Sequence, residues 1–355
     1  MYFIEEPQYD ASIRAPRVNF KVDASGVTVV VPVLPPNCPE RLALETQRQA
    51  LKKVQAAHRG APSIFWYYTP MALLFSADAD CDLCVYDCMD ELAAFRGAPT
   101  ELQRLEKLLM TRADVVFTGG RSLFEAKKNK HANVHAFPSS IDAKHFAVAR
   151  RTGAPDPADQ AGIARPRMGF FGVVDERMDV DLVAATAAAR PDWQFVFLGP
   201  VVKIDPADLP RAENIHWLGG KRYDDLPSYL AHWDVGFMPF AMNEATRFIS
   251  PTKTPEFLAA GLPVVSTPIR DVVTPYGDRG LVEIAGTADE VVASIERLLA
   301  GPKPDWRARV DAFLADMSWD RTFADMNRIM LSTGALPLDG TEAPADLKTG
   351  VPLGV

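Results

Sequence analysis

The sequence predicts an α/β protein of two domains, each built on a parallel β-sheet. Short apolar runs alternate with stretches of helical spacing, which is typical of parallel strands joined by right-handed helical crossovers. The alternation stops once, in a Pro-, Gly-, Ala- and Asp-rich stretch from 148 to 166, and then begins again. A length of 355 residues also suits two domains. The halves therefore share an architecture, although they show no residue-level repeat.

The first half contains six predicted strands and three predicted helices. The strands are the apolar runs 2–6, 27–32, 63–68, 82–87, 114–119 and 133–138. The helices have helical spacing and a Gly or basic residue near the end, and they cover 41–60, 100–113 and 121–130. A doubly wound domain usually opens with a strand and a Gly-containing turn into a helix. Here either that first strand–helix unit is missing or the start has been placed late.

The second half repeats the pattern after the linker. Strands are predicted at 167–174, 193–200, 215–220, 234–240, 262–267 and 280–285. Helices are predicted at 179–191, at 223–233, after residue 250, at 288–301 and at 317–330. The last 20 or so residues have Pro, Gly and few large apolar groups, which predicts a mobile tail. The predicted segments are domains 1–148 and 167–316, a linker 149–166, a final helix 317–332 and a tail 333–355.

Charge and hydropathy exclude several classes of protein. The formal net charge of -8 argues against a general nucleic-acid binder, whose phosphate partner needs a basic face. The N-terminus lacks the basic start and apolar run of a signal peptide, and the sequence has no apolar run of about 18 residues. These observations predict a cytoplasmic protein without a spanning helix.

Three of the four cysteines form a Cys-x2-Cys-x3-Cys pattern at Cys81, Cys84 and Cys88. The pattern invites a zinc site, but no second Cys-x2-Cys or pair of histidines follows it. Cys84 lies in a predicted buried strand, where cysteine behaves as a small hydrophobe. We also expect that strand to point Cys81 and Cys84 to opposite faces. The sequence therefore predicts no metal site.

The stretch SPTKTPEFLAAGLPVVSTP, residues 250–268, carries the most chemistry. Ser250 before Pro251, or Thr254 before Pro255, suits a helix N-cap followed by a first-turn proline, and Gly261 would end the helix. The free N–H groups at a helix start attract anions. The preceding strand delivers this helix to the ligand-binding edge of the sheet, so the helix start is predicted to face a crevice.

The side chains of this helix start suit a nucleotide diphosphate. Lys253 can meet a phosphate as a point charge, and Glu256 can accept two hydrogen bonds from a ribose diol. Ser250 and Thr252 stand beside them. In the competing interpretation Glu256 only complements the helix dipole and Lys253 is solvated.

Two other loops of the second half offer donor-binding groups. Gly172 ends a predicted strand and lets backbone approach a ligand, and Arg177 can fork onto a diphosphate or pair with Asp175 or Asp179. The dinucleotide fingerprint G-x-G-x-x-G is absent here. After another strand come three residues that could hold a flat base or a phosphate, namely Gly219, Gly220 and Lys221. Lys221 could equally be solvated.

The first half places polar groups at two strand ends. Asp87, Asp90 and Glu91 follow a predicted strand, where they could hold acceptor hydroxyls or act as a general base. Asp87 or Asp90 could equally cap the next helix. Tyr68, at the end of the neighbouring strand, could stack on a sugar or simply pack.

At this point the residues resemble a known family. P-x-K-x-x-E-F-L-A-A-G-L-P-V-V-S-T at 251–267 is similar to the nucleotide-sugar signature of group 1 (family four) glycosyltransferases of the GT-B fold. The segments 214–240, 113–128 and 138–146 are similar as well, so the resemblance covers most of the chain. It implies two Rossmann-like domains facing a cleft, with the donor in the C-terminal domain and the acceptor in the N-terminal domain.

The resemblance also implies functions for individual residues. Glu256 matches the second Glu of the family's E-x7-E pair, which contacts the donor ribose. The first Glu falls at Phe248, so Asn243 or Glu244 is left as a substitute for it. Arg177 lies near the family's diphosphate-binding Arg.

The expected function is transfer of a sugar from a nucleoside-diphosphate sugar to a glycan or lipid-linked acceptor, mostly with retention. No cofactor and no metal are expected. Lys253 and Arg177 would stabilise the leaving diphosphate, and Asp90 would orient or deprotonate the acceptor hydroxyl. A lipid-linked acceptor would bring peripheral contact with the inner face of the plasma membrane. Two alternatives stay open: an inactive paralogue that binds a nucleotide sugar or a partner protein, and a sugar-nucleotide epimerase of the same fold.

Overall fold

The computed structural model describes residues 1–151, 153–301 and 305–336. The chain divides into two compact units. Of the described residues, the first unit holds 1–87, 100–116 and 327–336, and the second holds 88–99 and 117–326. The predicted domain bounds stay a prediction. Of the predicted tail, the part from residue 337 lies outside the described residues.

The first unit opens with a small sheet around β4. β1 and β2 both run parallel to β4, and β3 runs antiparallel to it. These strands are β1 (Tyr2–Ile4), β2 (Gln8–Tyr9), β3 (Arg17–Val22) and β4 (Thr28–Leu34). Strand β3 was not predicted, although its apolar residues alternate with polar ones as in a strand; nearly all of its positions are exposed. No helix lies among residues 1–39.

A second sheet follows the first helix along the chain. Its neighbours in the first unit are, in order, β5 (Ile64–Tyr67), β6 (Leu83–Cys88) and β7 (Val115–Thr118), and β5 runs parallel to β6. Strand β7 continues into the second unit, where β8 (Val134–Ala136) follows it. The helices of the first unit are α1 (Glu40–Ala57), α2 (Leu73–Ser76) and α3 (Leu102–Arg112).

The second unit is built on a six-stranded sheet in which every pairing is parallel. The strand order is β11, β10, β9, β12, β13, β14. Counted from β9, this order is 3-2-1-4-5-6, that of a doubly wound dinucleotide-binding sheet. The strands are β9 (Arg167–Phe171), β10 (Gln194–Leu198), β11 (Ile215–Trp217), β12 (Val235–Met238), β13 (Val264–Ser266) and β14 (Glu283–Ile284).

Nine α-helices follow α3 in the described chain. They are α4 (Arg121–Lys127), α5 (Ala143–Ala147), α6 (Val180–Ala189), α7 (Leu226–Leu230), α8 (Lys253–Ala259), α9 (Arg270–Val272), α10 (Ala288–Leu299), α11 (Trp306–Leu314) and α12 (Trp319–Ser332). Of these, α8 and α10 pack on strands of this sheet. The sheet core includes Phe170, Phe197 and Phe237, each at most 2% exposed. Helix α12 contains the division between the units, after Met326.

The predicted alternation of strands and helices is confirmed, with shorter bounds for most elements. Helix α11 was not predicted, although Trp306, Val310 and Leu314 have helical spacing and are buried. In the described part of the chain, no helix is long and apolar enough to cross a membrane.

Candidate functional site

The carboxyl ends of β9 and β12 meet where the strand order of the six-stranded sheet reverses. Strand β10 lies on the outer side of β9, and β13 lies on the outer side of β12. In open α/β sheets, ligands bind outside the carboxyl ends of the strands at such a switch point. The loop after β9 carries Gly172 and Arg177, and the segment after β12 leads to α8. Most of the predicted donor-binding residues therefore belong to the two segments that leave this edge.

Gly172 allows Lys253 to approach the end of β9. Its φ of +133° is in a region that side chains rarely adopt, and a Cβ there would lie 2.2 Å from Lys253 Cε. The ammonium group lies 5.9 Å from the ring centre of Phe171. Burial lowers the pKa of Lys253, an effect that Glu256 opposes. The lysine is therefore held against backbone and ring, in surroundings that disfavour its charge.

Helix α8 begins one residue after Thr252, so neither proline pair starts it as predicted. Thr252 precedes the helix without a side-chain capping bond, and Thr254 is buried inside it. Gly261, with φ +81°, follows the helix end as predicted. Because α8 has only seven residues, its side chains carry more of the site than its free N–H groups do.

The C-terminal end of α8 is fixed by Arg150. This side chain donates hydrogen bonds to the carbonyl oxygens of Ala259 (2.6 Å) and Leu258 (3.1 Å), and it pairs with Asp311 at 2.8 Å. The Leu258 carbonyl oxygen also accepts from the backbone N–H of Gly261 at 2.9 Å, and a cation beside these last carbonyls stabilises the helix end. Arg150 thus orients the helix that presents Lys253 at its other end.

Glu256 and Lys253 lie one turn apart on α8 and are both half-buried. Burial raises the pKa of Glu256 to about 7, and Lys253 opposes the rise. Among the described residues, neither side chain forms a hydrogen bond or an ion pair. Both groups are therefore available to a ligand, which disfavours the interpretation that Lys253 is merely solvated.

Arg177 is held by Asp175 in a two-bond ion pair. Its Nε and Nη2 atoms donate to the Asp175 carboxylate at 2.9 and 2.7 Å, and its guanidinium lies 5.5 Å from the ring centre of Phe95. The predicted alternative of a pair with Asp175 is therefore present. The side chain of Arg177 is still 28% exposed, whereas Asp175 is 7% exposed.

Asp90 and Glu91 are neighbours in sequence with different environments. Burial raises the pKa of Asp90 to about 6, while the charges of Arg177 and Lys253 oppose the rise. Asp90 thus senses the charges of both cations of the site, and its catalytic function stays a prediction. Glu91 instead pairs with Lys127 at 2.7 Å, and that lysine is fully buried. The structure gives Glu91 a partner in the fold.

The loop after β11 offers fewer groups to a ligand than the other two segments. Gly219 and Gly220 are exposed, and Gly219 has φ +69°. Lys221 pairs with Asp159 at 2.8 Å and donates to the Leu218 carbonyl oxygen at 2.7 Å. Its charge therefore already has a partner in the fold.

Ser250 and Thr252 are half-buried ahead of α8. A Cβ on Gly120 would lie 2.9 Å from Ser250 Cβ and 2.3 Å from Asp271 Oδ2. Asp271 accepts a hydrogen bond from the backbone N–H of Ser122 at 2.9 Å. Neither Asp271 nor this close packing was predicted, because the two segments are about 150 residues apart in sequence.

The remaining predicted acceptor-side residues belong to the first unit. Asp87 is 5% exposed and accepts a hydrogen bond from Trp66 Nε1 at 3.1 Å. Burial raises the pKa of Asp87 to about 6. Tyr68 is 44% exposed, with its ring 6.4 Å from that of Trp66. Their functions stay a prediction.

The cysteine pattern shows one error in the sequence analysis. Strand β6 begins only at Leu83, so Cys81 lies outside it. A hydrogen bond with the Cys84 thiol, assisted by Arg112, lowers the pKa of Cys81 to about 7. The prediction that this strand points Cys81 and Cys84 to opposite faces was wrong in its premise, because Cys81 is not part of the strand. Within the described ranges, no group of three or more His, Cys, Asp and Glu residues is arranged to hold a metal.

Comparison with known proteins finds similarity to glycosyl transferases. Residues 165–301 match the family model described as glycosyl transferases group 1. A Bacillus subtilis (strain 168) protein named as a teichuronic acid biosynthesis glycosyltransferase, TuaH, is 27% identical over 228 residues. The match covers 60% of this chain and 57% of the Bacillus protein, so it spans little more than half of that relative.

Solved structures share the fold at low sequence identity. An α,α-trehalose-phosphate synthase from Burkholderia xenovorans, in complex with glucose-6-phosphate, has a TM-score of 0.66 at 12% identity and covers 92% of this chain and 90% of its own. Anabaena HepE, in complex with UDP and glucose, has a TM-score of 0.59 at 18% identity and covers 86% of each chain. These likenesses confirm the predicted fold class, an α/β protein with Rossmann-like parallel-sheet domains of the GT-B type.

Proposed function

We propose that the chain, whose residues 165–301 match the model of the group 1 glycosyl transferases, moves a sugar from a nucleoside-diphosphate sugar to an acceptor hydroxyl. One observation carries the proposal. Lys253 and Glu256, half-buried and without side-chain partners in the described chain, lie on the segment that leaves the switch point of a dinucleotide-type sheet. A cation and an acid one turn apart suit a phosphate and a ribose diol.

The donor diphosphate is bound by Lys253 and Arg177 in this proposal. When the bond between the sugar and the diphosphate breaks, its electron pair goes to the leaving phosphate oxygen. Cations fixed beside that oxygen stabilise the charge, and losing one such contact typically costs about 3 kcal/mol or more. Asp175 holds Arg177 by two bonds, so the guanidinium does not need to be reoriented during the reaction.

Asp90 orients the acceptor hydroxyl and receives its proton as the new bond to the sugar forms. Its raised pKa of about 6 keeps it ionised at neutral pH while making it a better base than an exposed carboxylate. We propose retention of configuration, in line with the family resemblance, and a reaction that uses only donor and acceptor. The acceptor is a glycan or a lipid-linked sugar, and the latter would bring peripheral contact with a membrane.

The test is a donor panel measured on the wild type and on Glu256→Ala. UDP-, GDP- and ADP-sugars are mixed with each protein, and thermal stabilisation is recorded. The wild type should be stabilised by one donor class and the variant much less. Equal stabilisation of both proteins by every sugar nucleotide would contradict the donor site. Product formation with an acceptor extract then separates an enzyme from an inactive nucleotide-sugar binder.

A further inference from the structure

The segment 88–99 is held against the rest of the second unit near its start and near its end. Near its start, the Glu91 carboxylate pairs with Lys127 at 2.7 Å. Near its end, the backbone N–H of Arg96 donates to Glu176 Oε1 at 3.2 Å. Because Glu176 belongs to the loop after β9, the second contact brings the segment against the loop that carries the proposed diphosphate-binding arginine.

The ring of Phe95, in the same segment, contacts two cations of the second unit. The Arg177 guanidinium lies over the ring at 5.5 Å from its centre, and the Lys203 ammonium lies at 5.3 Å from it. Both distances are within the range of about 6 Å in which the negative face of an aromatic ring attracts a cation. Phe95 is half-buried, and such contacts are stronger where water is partly excluded.

Arg177 uses one edge of its guanidinium to pair with Asp175. Its Nε and Nη2 atoms donate to that carboxylate at 2.9 and 2.7 Å, whereas its Nη1 atom donates to no described residue. The ring of Phe95 packs against the same planar group. A guanidinium held along one edge and against a ring has its remaining N–H donors fixed in direction. The Nη1 donors are therefore the part of Arg177 that is left for a phosphate oxygen.

We propose that Phe95 is a positioning residue for Arg177, and that it holds the Nη1 donors in place for the leaving diphosphate. Without the ring, Asp175 still pairs with the guanidinium, but water replaces the ring. The side chain then gains freedom that nucleotide binding must remove. Phe95 does not touch the ligand and acts only through Arg177. The proposal rests on the proposed function, since that function assigns Arg177 to the diphosphate.

The competing explanation is that Phe95 anchors the segment 88–99 by apolar packing alone. Apolar packing depends on the size of the side chain and not on the charge of its neighbour. A positioning residue, in contrast, loses its effect on binding once Arg177 is removed. The two explanations therefore differ in whether substitutions at the two positions are coupled.

The experiment is a double-mutant cycle on Phe95 and Arg177. Affinities for UDP, GDP and ADP are measured by calorimetry on the wild type, and the nucleotide that binds best is used for every variant. Phe95→Leu and Phe95→Met both fill much of the space of the ring without an aromatic face, so two variants carry the test. Phe95→Tyr keeps the aromatic face and serves as the rescue.

The matched control is Phe313→Leu. The Arg279 guanidinium lies 5.0 Å from the Phe313 ring centre, so this variant also removes a contact between an arginine and an aromatic ring in the second unit. Phe313 lies on α11, which does not leave the switch point of the sheet. Thermal unfolding of each variant shows whether it is folded before its affinity is measured.

Phe95→Leu and Phe95→Met should bind the nucleotide about fivefold more weakly than the wild type, because the attraction between ring and cation is lost. Arg177→Met should lose about tenfold or more, because a charged hydrogen bond to phosphate is absent. Adding Phe95→Leu to Arg177→Met should change the affinity by less than about twofold. Phe95→Tyr and Phe313→Leu should stay within about twofold of the wild type.

Three results would overturn the inference and leave the proposed function intact. One is an equal loss from Phe95→Leu with and without Arg177, which would make Phe95 a packing residue. The second is wild-type affinity in both Phe95→Leu and Phe95→Met. The third is a loss in Phe313→Leu as large as that in Phe95→Leu.

Two further results concern the proposed function itself. An Arg177→Met variant that binds as tightly as the wild type would remove Arg177 from the donor site and overturn this inference with it. A wild type that binds none of the three nucleotides would overturn the proposed function and this inference together.

Discussion

The second unit contains two lysine–glutamate pairs that are built in opposite ways. In the closed pair, Lys127 is fully buried and contacts Glu91 at 2.7 Å. In the open pair, Lys253 and Glu256 lie one turn apart and neither has a side-chain partner among the described residues. A paired buried charge holds elements of the fold together, whereas unpaired charges at a strand-end crevice stay available to a ligand. Charge type alone therefore does not separate structural from functional residues.

The largest expected effect is on the closed pair. Lys127→Met removes the partner of Glu91 and leaves a half-buried carboxylate uncompensated, so the free energy of unfolding should fall by about 3–5 kcal/mol. Chemical denaturation measures this change. Adding Glu91→Gln should recover part of the loss, because the stranded charge is removed. If Lys127→Met alone is as stable as the wild type, this pair does not support the fold.

Substitution of the lysine in the open pair should lower activity and leave stability almost unchanged. Lys253→Met should lower kcat/KM by about 10²–10³, because a charge that stabilises the leaving diphosphate is lost. Its stability should be equal to or slightly above that of the wild type, since burial already disfavours the ammonium form and lowers its pKa. Steady-state kinetics and denaturation on the same sample check both statements. A large loss of stability with unchanged turnover would reverse the comparison.

Asp90 and Glu91 extend the comparison to adjacent residues. Because burial raises the pKa of Asp90 to about 6, a reaction that needs its carboxylate should slow as pH falls through 6. The decline in kcat/KM should approach tenfold per pH unit. The residual activity of Asp90→Asn should not show this decline in kcat/KM at low pH. A wild-type profile that is flat from pH 7 to 5 would exclude Asp90 as the proton acceptor.

The smallest expected effect concerns the stability of the open pair. Burial raises the pKa of Glu256 from 4.5 in the unfolded chain to about 7, so its charged form destabilises the fold above pH 7. As pH falls from 8 toward 4.5, the folded state takes up this proton first and gains stability. Glu256→Gln should therefore be more stable than the wild type by about 1–3 kcal/mol at pH 8 and equal to it near pH 4.5.

Denaturation at both pH values measures that difference. Glu296→Gln is the control, because it removes an exposed carboxylate that pairs with Arg190. A variant that is less stable than the wild type at pH 8 would show that the Glu256 carboxylate is satisfied in the fold. The open pair would then be a structural feature like the closed one.

The sequence predicts the alternating architecture well because strand and helix periodicities are local. The strand at 167–174 and the helix at 288–301 needed only their own apolar spacing to be recognised. Lys253, Glu256 and Arg177 were identified as candidates because they stand just after strands of a predicted parallel sheet. Their functions remain predictions, since the structure shows their positions and not their ligands.

Other features depend on contacts that periodicity does not contain. Glu91 was grouped with Asp90, because nothing local shows that Lys127 lies opposite one and not the other. Lys221 was counted as a phosphate-binding residue, although it forms an ion pair with Asp159 in the linker region. The Glu176 carboxylate accepts a hydrogen bond through Oε1 from the backbone N–H of Arg96, 80 residues away in sequence. These contacts join residues that are distant in sequence, so they are visible only in the folded chain.

The most direct measurement of the central claim is a crystal structure with the nucleoside diphosphate that stabilises the protein most. The account predicts phosphate oxygens at about 2.7–3.2 Å from Lys253 Nζ and the Arg177 guanidinium, with the ribose diol on Glu256. A nucleotide bound elsewhere, with Lys253 and Glu256 closed on each other as Lys127 and Glu91 are, would contradict it.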